Sequence, residues 1–247
     1  MIKKQDGIIL IFLLWAIALL SFIVIEFNRQ VRLKAKMVTH LIESKKDYFS
    51  SYSAVQEAMV RLSLPEDDER KLLPDGKEHE FIFDGQRISL TIEEEERKIN
   101  INLANAQILH SLFTKKIGFS DEITERLVDC ILDYKDSDNV TRPYGAEEDY
   151  YLSLSPPYKS ANGPFKTLEE LLFVKNVTLN IFWKMYNFLT VYGKNVKLPE
   201  GEENRPLMIG HHYRFICKKD GHLFVFISHY LGKGKHEIIY QNEFYKP

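Results

Sequence analysis

Met1-Ile-Lys-Lys-Gln-Asp-Gly7, followed by Ile8-Ile-Leu-Ile-Phe-Leu-Leu-Trp-Ala-Ile-Ala-Leu-Leu-Ser-Phe-Ile-Val-Ile25, is the stretch that decides how this chain is built. A short charged leader precedes an apolar run broken only by Ser21. As a helix, that run reaches about 27 Å, close to the hydrocarbon thickness of a bilayer, whereas a secretory signal needs only about 7 to 15 apolar residues. The small-residue triplet Ala16-Ile17-Ala18 lies mid-run, which argues against signal-peptide cleavage there. A plain signal anchor and a processed anchor cut after Gly7 both fit. Lys3 and Lys4 place the amino terminus in the cytoplasm and everything after Phe27 across the membrane.

Working outward, apolar positions continue at helical spacing through Val31, Ala35, Val38, Leu41, Ile42, Tyr48, Phe49, Tyr52, Val55, Met59 and Leu62, with no Pro or Gly from Ile8 to Leu64. This predicts one helix about 80 Å long, its first half in lipid and its second half laying an apolar stripe on a folded domain. His79–Asp84 and Arg87–Ile92 alternate apolar and polar around Gly85 and read as a hairpin. Tyr213–Cys217 and His222–Ser228 flank Lys219-Asp220-Gly221 as a second hairpin, and Glu237–Phe244 is a final strand. The expected class is α+β, a long amino-terminal helix packed on a small antiparallel sheet.

Between Asn100 and Gly193 the period turns helical, marking about four helices near Leu109–Phe113, Ile123–Leu132, Leu168–Leu172 and Ile181–Leu189. Ser120-Asp-Glu-Ile supplies a helix cap and Thr167-Leu-Glu-Glu has the capping-box form. The division expected is a leader over 1–7, a transmembrane helix over 8–27, stem helix and first strands over 28–99, a helical insertion over 100–195 and terminal strands over 196–247.

Within the insertion, the segment Asp133–Tyr151 reads as a loop with the densest charge in the chain: Asp133, Asp136, Asp138, Glu147, Glu148 and Asp149 against Lys135 and Arg142. Two readings stand side by side. One is a solvated acidic loop, the usual fate of a charge run. The other is a site for a hard cation such as calcium, which accepts several oxygen ligands in flexible geometry. The spacing is not that of an EF-hand, because Val140 and Thr141 fall where a ligand and the required glycine belong. The chain has 33 basic and 35 acidic residues; without Lys3, Lys4, Asp6 and Glu26 the part beyond the membrane keeps a net charge of −2. That balance is a poor match to a dedicated nucleic-acid binder. Cys130 and Cys217 fall in different predicted domains and are expected as two separate buried thiols. His211-His212, His222, His229 and His236 show no zinc-site spacing and read as strand and loop residues.

The stem resembles that of type IV pilins and type II secretion pseudopilins. In those families a prepilin peptidase cuts after the glycine and methylates the new terminus, here Gly7 and Ile8. Asp133-Tyr-Lys-Asp136-Ser-Asp138, Arg142-Pro-Tyr-Gly-Ala-Glu147, Tyr150-Tyr151, Pro156-Pro-Tyr158 and Asn162-Gly-Pro-Phe-Lys-Thr-Leu-Glu-Glu-Leu-Leu172 look like the signature of the K-class minor pseudopilin. Glu96-Arg-Lys-Ile-Asn-Ile-Asn-Leu-Ala104 resembles the start of its helical domain. The resemblance implies a pilin-like fold carrying a large helical insertion that binds calcium through Asp133, Asp136, Asp138 and Glu147, with Glu148 or Asp149 as further candidates.

It also implies a non-enzymatic subunit in the bacterial inner membrane with a periplasmic domain. Such a subunit caps a short pseudopilus beside the I- and J-class minor pseudopilins and serves protein export. Two departures stand out. Phe12 replaces the usual glutamate at the fifth mature position, which fits a subunit with no neighbour ahead of it, and Asn176 stands where a glycine is usual. The alternative is a membrane-anchored DNA-binding protein of the competence type, because Ile99–Ala104 and Gly163–Leu171 also resemble a helix-hairpin-helix repeat. Its phosphate-holding turn would need a second glycine, which Ile117–Glu122 and Val174–Thr178 lack. A glycosidase-like carboxylate pair is the enzyme reading, with no supporting motif.

Overall fold

The structure, a computed structural model, describes residues 4–83, 85–198, 206–219 and 221–245. Met1–Lys3 of the leader, Asp84 and Asp220 of the two hairpin turns, and 199–205 lie outside the described residues. The chain divides into two compact units, Met1–Ser53 and Ala54–Pro247.

The first unit is a single helix, part of α1, which spans Lys4–Leu62. Its backbone passes through Gly7 without a break, as expected where no proline or strained glycine interrupts the run. From Leu10 to Phe27 every large apolar side chain is at least half exposed, and the segment is long and apolar enough to cross a membrane. The stripe expected beyond it is corrected in part. Val31, Val38, Leu41, Ile42 and Phe49 are exposed rather than packed on a domain. Helical periodicity shows which side chains share a face but not where along 59 residues a partner for that face begins.

In the second unit, the last turns of α1 bury Ala54, Val55, Ala58, Met59 and Leu62, spaced to share one face. Five antiparallel strands follow in the spatial order β1-β2-β5-β6-β7. They are β1 (Asp75–Phe83), β2 (Gln86–Glu94), β5 (His212–Lys219), β6 (His222–Gly232) and β7 (Lys235–Tyr245). Phe81, Ile88, Leu90, Ile92, Phe215 and Cys217 lie on one face by register and are buried. The Arg61 guanidinium of α1 sits over the Phe81 ring on that side, 5.1 Å from its centroid. The opposite face presents Ile216, Leu223, Val225 and Ile227, packed against Trp183 and Tyr192 of the insertion. With both faces covered, β5 and β6 read as near-continuous apolar runs, whereas β1 at the sheet edge keeps polar side chains exposed.

The insertion leaves the sheet after β2 and returns before β5. Its neck is a parallel pair, β3 (Ile99–Asn100) and β4 (Leu189–Thr190), in the register Ile99↔Leu189 and Asn100↔Thr190. Asn100 Nδ2 donates to the carbonyls of Val191, Tyr192 and Gly193 and clamps this neck. Beyond it lie α2 (Ala106–Leu112), α3 (Asp121–Lys135), α4 (Glu148–Leu152) and α5 (Leu179–Tyr186) around a core of Leu109, Phe113, Leu127, Ile131, Tyr151, Leu171 and Phe182. Ser120 and Thr178 accept from the backbone N–H three residues on, and Thr167 and Glu170 form the expected capping box. The helix expected at Leu168–Leu172 is a 3-10 segment, Leu168–Phe173. Asn176 has a φ of 69°, a left-handed conformation that asparagine tolerates better than most residues. Cys130 and Cys217 are buried and form no disulfide.

Candidate metal centre

The segment Asp133–Tyr151 is not one loop. The apolar period of α3 holds through Lys135, so Asp133 sits on a helix and is fully buried, while Glu148 opens α4. Between the two helices the chain folds back on α3 through a set of local ties. Asp129 Oδ2 accepts from the Tyr144 amide at 3.1 Å, and the Cys130 thiol donates to the Tyr144 carbonyl at 3.2 Å. Arg142 Nη1 bridges the Asp133 and Asp136 carboxylates, and the Arg142 amide donates to Asp133 Oδ2 at 3.1 Å.

Lys135, counted from sequence as a balancing charge for the acidic segment, points elsewhere. Its Nζ donates to the carbonyls of Ile101, Asn102 and Ala104 at 2.8, 3.5 and 3.0 Å. An ammonium at the end of α3 is better satisfied by these fixed carbonyls than by a surface carboxylate. This leaves Arg142 as the cation that the described contacts give the cluster.

Asp136, Asp138 and Glu147 converge, with one oxygen of each within 4.8 Å of the others. Asp138 Oδ1 accepts from the Val140 amide at 2.8 Å, which turns the short connection after α3. Glu147 is 7% exposed, and neither of its carboxylate oxygens has a hydrogen-bond partner. Asp136 Oδ1 is likewise buried without one. Burial first, and then repulsion from Asp133, Asp136 and Asp138, pushes the Glu147 carboxyl up to about 7. Three orphaned carboxylate oxygens in one place are costly by themselves. The donor set is all oxygen and partly ordered by protein contacts, which suits a hard divalent cation.

The other two acidic candidates lie apart from this cluster. Glu148 pairs with Lys159 at 3.3 Å and accepts from Asn162 Nδ2, and Asp149 is exposed on the first turn of α4. An aromatic wall backs the segment: Tyr151 is fully buried with its ring 5.2 Å from both Tyr134 and Tyr150, and Lys175 Nζ lies over Tyr150. The Tyr158 hydroxyl donates to the Phe173 carbonyl at 2.8 Å.

Gly145 is a site residue that sequence reasoning passed over. A Cβ there would lie 1.8 Å from Asp133 Oδ2. Gly145→Ala is therefore expected to displace Asp133 from Arg142 and destabilise the insertion by about 1–3 kcal/mol, the usual range for overpacking. Chemical denaturation of the variant and the parent chain measures this directly.

The fold and the insertion together define a pilin-like subunit carrying an extra helical domain. Residues 89–194 match the family described as "Type II secretion system (T2SS), protein K". Type II secretion system protein K of Aeromonas hydrophila is 22% identical over 208 residues, 74% of this chain and 62% of that protein. The protein K of Pseudomonas aeruginosa is 24% identical over 193 residues, 70% of this chain and 58% of its own length. The chain thus spans about three fifths of the length of these relatives. A chain of the crystal structure of the GspK-GspI-GspJ complex from enterotoxigenic Escherichia coli superposes with a TM-score of 0.57 at 16% identity, over 82% of this chain and 98% of that one. This shows the shared fold. The chain is a protein-K-like pseudopilin, a structural class and not a known enzyme family. The DNA-binding alternative is not favoured. Ser120 caps α3 with its own hydroxyl, and Asp121 and Glu122 occupy the first turn where a phosphate would have to sit.

Proposed function

We propose that this chain is a minor pseudopilin at the tip of a type II secretion pseudopilus, needed for its assembly and for protein export. One observation carries the reading. A helix long and apolar enough to anchor in a membrane continues without a break into a sheet domain that bears a bulky inserted helical domain. A subunit of that form can lie in a helical bundle through its stem, while the insertion obstructs addition of a further subunit above it. Phe12 in place of a carboxylate leaves no group to engage the amino terminus of a preceding subunit. The neighbouring structure contains GspI and GspJ, and we infer that the corresponding I- and J-class subunits are the partners here. Prepilin peptidase would act at Gly7–Ile8, leaving the helix in the inner membrane and the second unit in the periplasm.

The acidic cluster is read as a calcium site. Asp136, Asp138 and Glu147 would supply oxygens, with Asp133 and Arg142 holding Asp136 in place. Bound calcium would supply the positive charge that the orphaned carboxylates lack, tying the end of α3 to the start of α4. Its role is to rigidify the insertion, and no chemical step is assigned to it.

Mass spectrometry of the mature amino terminus tests the filament reading. A methylated Ile8 that appears only in cells with an active prepilin peptidase is the expected result. An intact Met1 in both backgrounds would make the chain a plain anchored protein. In a strain lacking this chain, the expected loss of export, restored by the wild-type chain, tests the secretion role separately.

A further inference from the structure

We propose that Glu94, Glu96 and His211 form a second cation site, chemically distinct from the acidic cluster, that takes a divalent first-row transition ion such as zinc. Donor atoms of the three residues lie within 4.8 Å of one another. They come from segments more than a hundred residues apart: Glu94 ends β2, Glu96 lies in the 3-10 turn Glu95–Arg97, and His211 immediately precedes β5.

The donor set decides the class of ion. One imidazole nitrogen with two carboxylates suits zinc and its neighbours, whereas calcium prefers oxygen ligands throughout. Three protein ligands leave further coordination positions for water or for a donor on a partner. A divalent ion would also neutralise two carboxylates that face a single imidazole.

The surroundings hold these donors in place. Glu94 is 4% exposed and paired with Tyr213 in the β2–β5 ladder, and its carboxylate meets His211 Nδ1. His211 is fixed by its own backbone, donating its amide to the Met208 carbonyl at 3.1 Å and accepting at its carbonyl from the Tyr230 amide at 2.9 Å. Glu96 is oriented by His212, whose backbone amide donates to Oε2 at 2.9 Å and whose Nδ1 lies 2.8 Å from Oε1. The His212 ring is in turn stacked between Tyr192 and His229, with centroids 4.9 and 4.8 Å away. Glu96 Oε2 lies 3.9 Å from His211 Nδ1, and the His211 side chain remains 27% exposed, which gives an ion a way in. His212 is a positioning residue here, in the manner of the outer partners that orient metal ligands.

The experiment uses the full-length chain in detergent, stripped of metal with EDTA and then held in excess calcium so that the acidic cluster does not report. Zinc is titrated by calorimetry and counted after desalting, with cobalt absorption as a probe of nitrogen and oxygen ligation. One zinc per chain is expected. His211→Asn and Glu94→Gln should each weaken binding at least about tenfold, and His212→Asn about 10–100-fold. Asp136→Asn with Asp138→Asn should leave the zinc titre unchanged. Melting in EDTA checks that each variant folds, and Glu96→Gln replaces any that does not. No zinc binding by the parent chain, or binding unchanged in the ligand variants, would overturn the proposal and leave an imidazole–carboxylate pair only. The site does not depend on the secretion reading.

Discussion

Replacing Arg214 with alanine is expected to lower the stability of the folded chain by about 3–5 kcal/mol, the cost of leaving one half of a buried ion pair without its partner. Arg214 and Glu95 are both fully buried, and four structural pieces meet on them. Arg214 Nη2 donates to Glu95 Oε2 at 2.9 Å and Nε lies 2.7 Å from Oε1. Arg214 Nη1 donates to the Tyr186 carbonyl at the end of α5, and Nη2 reaches the Leu189 carbonyl on β4. The guanidinium lies 4.2 Å from the Tyr186 ring centroid. Glu95 also accepts from the Thr190 hydroxyl and pairs with Lys98 at 3.0 Å.

The pair therefore joins the sheet to both ends of the insertion's neck. Burial alone would push the Glu95 carboxyl up, but Arg214 and Lys98 outweigh it and hold it below the usual carboxylate range. Its contribution is complete above the unfolded carboxylate pKa and is lost as pH falls through the lower folded value, so at neutral pH it is present in full. Glu95→Gln should be similarly damaging. The double replacement of Arg214 by methionine and Glu95 by leucine should cost clearly less than the two single changes added together, because neither charge is then stranded. Denaturant unfolding of the four chains measures the coupling. Additive losses would show that the two residues act independently and that the pair does not hold the neck.

That network also shows where sequence reading stopped. Glu93–Glu96 reads as a charge run destined for solvent, and local pattern offers no reason to think otherwise. In the fold its members separate: Glu93 to Lys98, Glu94 to His211, Glu95 to Arg214 and Glu96 to His212. The last three pairings span 116 to 119 residues and depend on β2 and β5 lying side by side. Features set by neighbours in the chain were legible: the continuity of α1 from its lack of breakers, the strands from alternation, and the capping box from Thr167 and Glu170. The acidic segment was legible in composition but not in layout. The turn of α3 that carries Asp133 looks polar in sequence, and Gly145 acquires meaning only when it is packed against Asp133. Helix-period reasoning also made the Leu168 segment an α-helix, because two turns are too few to separate a period of 3.6 from one of 3.0.

Calcium is expected to raise the melting temperature of the full-length chain, and the size of the rise follows from mass action. An ion that binds only the folded state adds about 2.7 kcal/mol at a free concentration one hundred times its dissociation constant. For a chain of this length that corresponds to roughly 5–10 °C. The residues to change are Asp136 and Asp138, since Glu147 is buried and its replacement would also disturb packing. Converting both to asparagine keeps shape and removes two charges, so its effect should differ in sign between the two conditions. In a chelator the variant should melt no lower than the parent, because repulsion among Asp133, Asp136, Asp138 and Glu147 is relieved. In millimolar calcium it should melt well below the parent, because the cation then has too few charged oxygens to hold. A purely structural role for the two aspartates predicts a lower melting temperature in both conditions. An identical melting curve for the parent chain with chelator and with calcium would reject the metal reading itself. The orphaned oxygens of Glu147 and Asp136 would then mark an acidic cluster whose repulsion is carried by the rest of the fold.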